Sequence, residues 1–321
     1  MKLSIIVPTH NRPKALIRNL AALSRQSLDR TAFEVLVIDD GSSQHNQPIN
    51  EQATLDQDFT YVLKEQGGLV SARNAGAERA TGDILYFLDD DVVPAKDTLR
   101  EILSWHEREE DPIAVLGSVP FPEESLKNPF IWYLDRHCHY EPFKHPEKYP
   151  DGKPLPPMNG NSSIRRQTFF DVGMYDDRFH QYGAEDNELG VRLLEAGISA
   201  RYNENAIGWH HHEKTFKDYC LDQEKAGESI IWLYRKYPLI KSHKNIDIMV
   251  DTFQSLPLKK KVRRLIMFVT LTVPVVLWPA RLLVGAFGSC FALRYVLSPA
   301  FQWVSHYHYA VGMRRALNEA G

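Results

Sequence analysis

Cysteine is nearly missing. The 321 residues hold three, Cys138, Cys220 and Cys290, scattered without metal-type spacing. So sparse and odd a set excludes a disulfide framework and fits a reducing compartment. There is no low-complexity tract and no internal repeat, which excludes a fibrous or disordered chain. Long apolar runs are missing as well. Leu3–Val7 is too short for the core of a signal peptide and runs straight into Pro8. It predicts a buried first strand in a protein that folds in the cytoplasm. Residues 265–280 and 282–293 are uncharged and mostly apolar, but each falls short of the roughly 20 residues that span a bilayer. Acidic residues are almost absent from the end of the chain. Residues 257–321 carry nine Lys or Arg against Glu319 alone, a net of +8, so the remainder carries −11 of the overall −3.

What is present is alternation. Strand-like runs at Leu3–Val7, Glu34–Ile38, Phe59–Leu63 and Asp83–Leu88 are separated by helical segments at Lys14–Ser24 and Leu69–Ala80. Strand–helix alternation predicts an α/β fold with a mostly parallel sheet covered by helices. Ligands of such sheets collect beyond the carboxyl ends of the strands. Residues 118–160, rich in proline and aromatics, read as a long excursion, a lid on the acceptor side. Order returns with a helix in GAEDNELGVRLLEAG, strands at Ile198–Tyr202 and Ala206–Trp209, and a polar helix from Phe216 to Tyr237.

The strand ends carry the chemistry. In ILYFLDDDVVP the chain leaves a buried run at Asp89, Asp90 and Asp91. If it stays extended, Asp89 and Asp91 share a face, and a cation between them relieves their repulsion. Oxygen ligands favour Mn²⁺ or Mg²⁺, which bridges carboxylates to substrate phosphates. A solvated acidic turn is the plainer reading of an isolated D-D-D, but the buried strand before it favours the metal. In EVLVIDDGSS, Asp39 and Asp40 suit hydrogen bonds to a ribose hydroxyl or a base N–H, or cap an acidic turn. PTHNRP offers Thr9 and Asn11 at the same edge. Arg73 in GGLVSARNAG is a planar donor for a base or phosphate, or one half of a salt bridge at a helix start. His210-His211-His212 follows another apolar run, with His210 and His212 on one face, but nothing nearby completes a zinc site.

VPTHNRP, VIDDGSS, the glycine turn with SARNAG, FLDDD and GAEDNEL, in that order and spacing, resemble family 2 glycosyltransferases over residues 1–215. The resemblance implies a glycosyltransferase-A fold, a Rossmann-like α/β domain. It implies a UDP- or GDP-type nucleotide-sugar donor held by Pro8, Thr9, Asn11, Asp39, Asp40 and Arg73, with Asp90 beside them. Asp89 and Asp91 become the D-x-D pair that places Mn²⁺ or Mg²⁺ on the donor diphosphate, easing departure of the leaving group. Glu185-Asp186 becomes the acidic pair, with Asp186 deprotonating the acceptor hydroxyl and Glu185 or Glu188 as alternates. One base and one displacement imply inversion at the anomeric carbon. His210 or His212 becomes a further metal ligand or diphosphate contact, and Asn161 and Arg165 lie near donor sugar and acceptor.

Beyond residue 215 the reading rests on composition. Residues 216–256 form a helical extension and 257–321 a basic, apolar helical tail. The cluster Lys259–Arg264 suits anionic lipid headgroups, Trp303, Tyr307 and Tyr309 suit an interface, and Pro274 and Pro279 interrupt any long helix. A helix pair lying in or dipping into a membrane is favoured over true spans and over a buried helical subdomain. The acceptor is then a glycan or a lipid-linked molecule at the inner face of the plasma membrane, as in assembly of a surface polysaccharide. Nucleic acid is not expected, because apolar runs interleave the basic residues. Two rivals stand beside this reading. A nucleotidyltransferase that makes sugar nucleotides needs a glycine-rich phosphate loop where this chain has PTHNRP. A non-catalytic binding module has no use for two acidic clusters.

Overall fold

The structure is a computed structural model that describes residues 1–137, 155–179, 183–241 and 246–319. Cys138 and residues 139–154 of the proline-rich excursion lie outside the described residues. The chain divides into two compact units. The first comprises Met1–Pro122, Leu155–His180 and Glu185–His212; the second comprises Glu123–Pro154, Gln181–Ala184 and Glu213–Gly321.

The first unit is built on a sheet. In chain order it contains β1 (Leu3–Thr9), α1 (Pro13–Leu23), β2 (Phe33–Asp40), α2 (Gln47–Leu55), β3 (Thr60–Lys64), α3 (Gly68–Arg79), β4 (Ile84–Leu88), β5 (Val92–Pro94), α4 (Thr98–Arg108) and β6 (Ile113–Ser118). The second unit begins with α5 (Pro129–His137). The chain then returns to the first with β7 (Asn161–Arg165), α6 (Arg166–Asp171), α7 (Glu185–Glu195) and β8 (Ser199–His210). The eight strands run in the order β3-β2-β1-β4-β7-β6-β8-β5. Strands β1 to β4 are mutually parallel, β7 is antiparallel to β4 and β6, β8 is parallel to β6, and β5 closes the edge antiparallel to β8. Central strands covered on both faces must be apolar throughout. Leu3, Ile5, Ile6, Val7, Val37, Ile38 and Ile84–Leu88 are accordingly inaccessible to solvent.

The expected pair of strands near residue 200 is one strand, β8, whose pairing with β6 shifts register at Gly117/Ser118. Such an irregularity bends a strand and re-aims its end.

The second unit is helical. Its α8 (Phe216–Lys236) starts with a capping box in which the Thr215 hydroxyl accepts from Asp218 N and the Asp218 carboxylate accepts from Thr215 N. It is followed by the single turn α9 (Asp247–Val250), then α10 (Leu258–Thr272), α11 (Trp278–Phe287) and α12 (Arg294–Asn318). α12 packs along α8, where a Cβ on Gly312 would lie 1.9 Å from the Glu224 carbonyl oxygen. Only glycine allows the two backbones so close. Among the described residues no single helix is long and apolar enough to cross a membrane. The pair Leu258–Thr272 and Pro274–Phe287 together has the composition, but is bent by 106° at the break. Pro274 lacks the N–H that would continue α10.

Candidate active site

The carboxyl ends of β1, β2 and β4 and the end of β8 share one edge of the first unit, and the acidic motifs meet there. At β2 the two aspartates divide their work. Asp39 is fully buried: its Oδ1 accepts from Ser42 N at 2.7 Å, and its Oδ2 accepts from Asn50 Nδ2 at 2.8 Å and Tyr61 Oη at 2.9 Å. That carboxylate is a brace for the following turn, which corrects its expected place on the nucleoside. Asp40 accepts from Lys64 Nζ at 2.7 Å and from the backbone N–H groups of Gly67 and Gly68 at 2.9 and 2.7 Å. It thereby ties the glycine turn before α3 to the loop after β2. Asn11, at φ 55°, donates its N–H to Ser42 Oγ and accepts from Ser43 N and Asn46 Nδ2. Pro8 and Thr9 are buried at the end of β1. The Thr9 hydroxyl donates to Asp90 Oδ2 at 2.8 Å.

After β4 the chain turns at once, with Val92 N bonded to the Asp89 carbonyl at 3.0 Å. The expected alternation of an extended D-D-D therefore does not apply. Arg12 draws the second and third aspartates together instead: its Nη1 donates to Asp90 Oδ1 and its Nη2 to Asp91 Oδ2, both at 2.8 Å. Arg12 lies inside the PTHNRP motif but was not singled out from sequence, because a single arginine carries no periodic or paired signal. Burial raises Asp90 to about 7, against the opposing pull of Arg12. Burial acts on Asp91 too, but there the His210 hydrogen bond and charge, with Arg12, win and hold the carboxyl far below the usual range. His210 Nε2 stands 3.5 Å from Asp91 Oδ2. Its ring is stacked on Phe121 with centroids 5.2 Å apart, and His212 meets the His210 ring edge-on at 5.4 Å. The backbone N–H of His210 is held by the Pro120 carbonyl and that of His211 by the Asp91 carbonyl. β8 thus delivers His210 to the acidic turn.

Asp89 faces elsewhere. Its Oδ1 accepts from Nη2 of the buried Arg73 at 2.8 Å, and a Cβ at Gly160 would fall 2.0 Å from its Cγ. The Arg73 guanidinium lies over the Tyr175 ring at 5.3 Å, and its Nε and Nη1 find no partner among the described residues. Burial disfavours its charge, but Tyr175, Asp89 and Glu185 outweigh that and keep it protonated. Burial in turn raises the Tyr175 hydroxyl, against Arg73, with Asp186, Glu185 and Asp89 adding to the rise. Met158 N also donates to the Asp186 carbonyl at 3.2 Å, so the start of α7 adjoins the Tyr175–Arg73–Asp89 group. Tyr175, which no sequence motif marks, is fixed by reciprocal bonds to the Asn74 side chain and by its hydroxyl on the Met158 carbonyl at 2.7 Å. Asp186 sits at the start of α7, where its Oδ1 accepts from Asn187 N and Nδ2 at 2.7 and 2.6 Å. Glu188 is fully buried and paired with Arg192, so it is no alternate base.

Two expected contacts are not brought to the site. Asn161 is inaccessible to solvent; its amide donates to the Ser118 and Ala206 carbonyls and accepts from Tyr86 Oη. Arg165 pairs with Ile84, at the opposite end of β4 from the acidic turn, and donates to the Glu109 carbonyl. The antiparallel course of β7 carries it away.

Residues 4–171 match the sequence pattern of glycosyl transferase family 2. The chain belongs to that family. It is a glycosyltransferase, and residues 156–214 also match a pattern described as the N-terminal domain of galactosyltransferase. An uncharacterized glycosyltransferase of Bacillus subtilis, YfnE, is 27% identical over 288 residues, covering 75% of this chain and 72% of the relative. Validoxylamine A glucosyltransferase of Streptomyces hygroscopicus subsp. jinggangensis is 30% identical over 237 residues, covering 66% of this chain and 56% of the relative. Among solved structures, the mannosyltransferase PcManGT from Pyrobaculum calidifontis, in complex with GDP-Man and Mn²⁺, aligns with a TM-score of 0.65 at 18% identity. That alignment covers 100% of this chain and 88% of that one. It places this family 2 chain in the glycosyltransferase-A fold.

Proposed function

We propose that this glycosyltransferase takes its sugar from a nucleoside diphosphate donor of UDP or GDP type and transfers it, with inversion, to a hydroxyl. The observation that carries the reading is the convergence of Asp91, Asp90, Arg12 and His210 beside the Arg73–Asp89–Glu185–Asp186 group at one sheet edge. The nucleoside lies against the Pro8–Asn11 loop and the Asp40–Gly68 turn. The donor set fits Mn²⁺ or Mg²⁺. Asp91 is held anionic, and His210 Nε2 is 3.5 Å from it, close to the separation of two ligands on one ion. Among the described residues no three His, Cys, Asp or Glu side chains are gathered as a cage. That agrees with an ion that takes one or two protein ligands and completes its shell with phosphate and water. Bound there, the metal would neutralise charge on the departing diphosphate.

The protein's own groups do the rest. Arg73, a buried cation beneath the acidic turn, orients Asp89 through its Nη2. Asp186 is locked through Oδ1, which leaves Oδ2 to receive the acceptor proton. A single base on one side gives direct displacement.

The acceptor is a glycan or a lipid-linked hydroxyl, and the enzyme works at the inner face of the plasma membrane. That extension is supported by the exposed Leu258, Val262, Leu265 and Phe268 on α10 among basic residues.

Release of nucleotide from a panel of UDP-, GDP- and dTDP-sugars, with Mn²⁺, Mg²⁺ or EDTA, tests the proposal. One donor is expected to be cleaved slowly in a metal-dependent way, with Asp91→Ala and Asp186→Ala each lowering the rate by about 100-fold or more. NMR of the product anomer is expected to show inversion. Absence of both donor binding and cleavage under every condition sinks the reading.

A further inference from the structure

A cavity lies within the helical unit, between α10, α12 and the turn α9. Its volume is about 380 Å³, within the range of small-ligand sites. On α10 the lining residues are 263, 266, 267, 270 and 271, and on α12 they include 299, 302, 303, 306, 310 and 313. That is helical spacing on two facing stripes. Met249, Met267, Leu271, Trp303 and Met313 give walls that are apolar and, through methionine, adaptable. Among the polar groups of the wall, the Thr270 hydroxyl donates to the Ile266 carbonyl at 2.6 Å and accepts from Trp303 Nε1 at 3.4 Å, and Gln302, His306 and Tyr309 lie on the α12 side. No aspartate or glutamate lines the cavity.

The rim is different. Ile266 belongs both to the cavity and to the exposed apolar face of α10, at 51% exposure. A ligand therefore enters from an apolar surface. Arg263, exposed at the same mouth, is one turn from the exposed Lys259. A long apolar chain carrying a negative head satisfies both features, walls by burial and rim by charge.

We propose that this cavity takes one acyl chain of an anionic bilayer phospholipid, with its phosphate on Arg263. The assignment rests on the membrane reading above, and the test separates the two. Dihexanoyl phosphatidylglycerol below its micelle concentration offers the chain and the charge without a bilayer. Calorimetry on the full chain is expected to show saturable one-to-one binding, weaker by about fivefold in Arg263→Gln, the effect of one basic residue near an anionic head. Ala310→Phe, which fills the cavity, is expected to abolish it. The zwitterionic dihexanoyl phosphatidylcholine is expected to bind the wild type no better than the charged lipid binds Arg263→Gln. If Ala310→Phe does not fold, the headgroup comparison and Arg263→Gln still decide. Sedimentation with anionic vesicles but no one-to-one binding overturns the cavity assignment and keeps membrane attachment. Absence of both overturns both. Geranyl phosphate bound more than about tenfold tighter than the phospholipid, a 1.4 kcal/mol preference, overturns the phospholipid in favour of an isoprenoid chain.

Discussion

At the residue scale, the site depends on contacts that leave no room. Gly160 lies where any side chain would meet Asp89, at 2.0 Å from its Cγ. Gly160→Ala is therefore expected to push that carboxylate off Arg73. Misplacement of a catalytic group by about an ångström costs on the order of 100-fold in rate, and the overpacking itself about 1–3 kcal/mol. Nucleotide-release kinetics beside a thermal melt check both, and an unchanged rate would show that the Arg73–Asp89 bond is not needed. Which residues were legible in the sequence follows from the same contacts. Asp40, Arg73, Asp91, Asp186 and His210 sit in motifs and arrive at the site. Arg12, Tyr175 and Gly160 are single residues whose importance comes from partners 79, 102 and 71 positions away, Asp91, Arg73 and Asp89. Nothing local announces them. Asp39 shows the converse, since adjacent aspartates look alike until one is seen buried beneath Asn50 and Tyr61.

At the element scale, packing sets the sensitivities. His106 on α4 is fully buried against β7, with Nε2 on Ser163 Oγ at 2.9 Å. Burial, and then the nearby Arg165, lower its pKa from 6.5 to about 4. The unfolded chain takes up this proton below about 6.5, whereas the folded chain resists until about 4. Stability is thus lost as pH falls through that window, by about 3 kcal/mol in all. His106→Asn, which keeps a hydrogen-bonding side chain, is expected to flatten the fall in Tm between pH 6.5 and 4; an unchanged slope would remove His106 as its source. In the helical unit, Gly312→Ala must part α8 and α12 and is expected to cost about 1–3 kcal/mol, read from a denaturant melt. In the first 88 residues β1, β2 and β4 were legible as continuously apolar runs and α1 by its period, but α2 was not read, because the residues it buries, Asn50 and Thr54, are polar and leave no apolar stripe. β8 was not read as one strand, because Asn203, Glu204 and Asn205 break its pattern. The single chain of pairing through β6 and its register shift belongs to tertiary contact.

At the scale of the whole molecule, charge is segregated, −11 before residue 257 and +8 after it. Binding to anionic vesicles is expected to weaken as salt shortens the screening length from about 10 Å at 0.1 M to about 3 Å at 1 M. Co-sedimentation across that range checks it, and salt-independent binding would leave the exposed apolar residues of α10 and α11 as the anchor. The strand order has a consequence of another kind, for the growing chain. β1 to β4 can pair once residue 88 has left the ribosome, but the next strand in the sheet is β7, which begins at Asn161. At about 5–20 residues per second, the ribosome leaves the edge of β4 open for several seconds or more, with β6 already made and unpaired. Synthesis of this enzyme therefore passes through an interval of sticky, half-closed sheet, in which a chaperone or a slower codon run would change the yield of active protein without altering a residue.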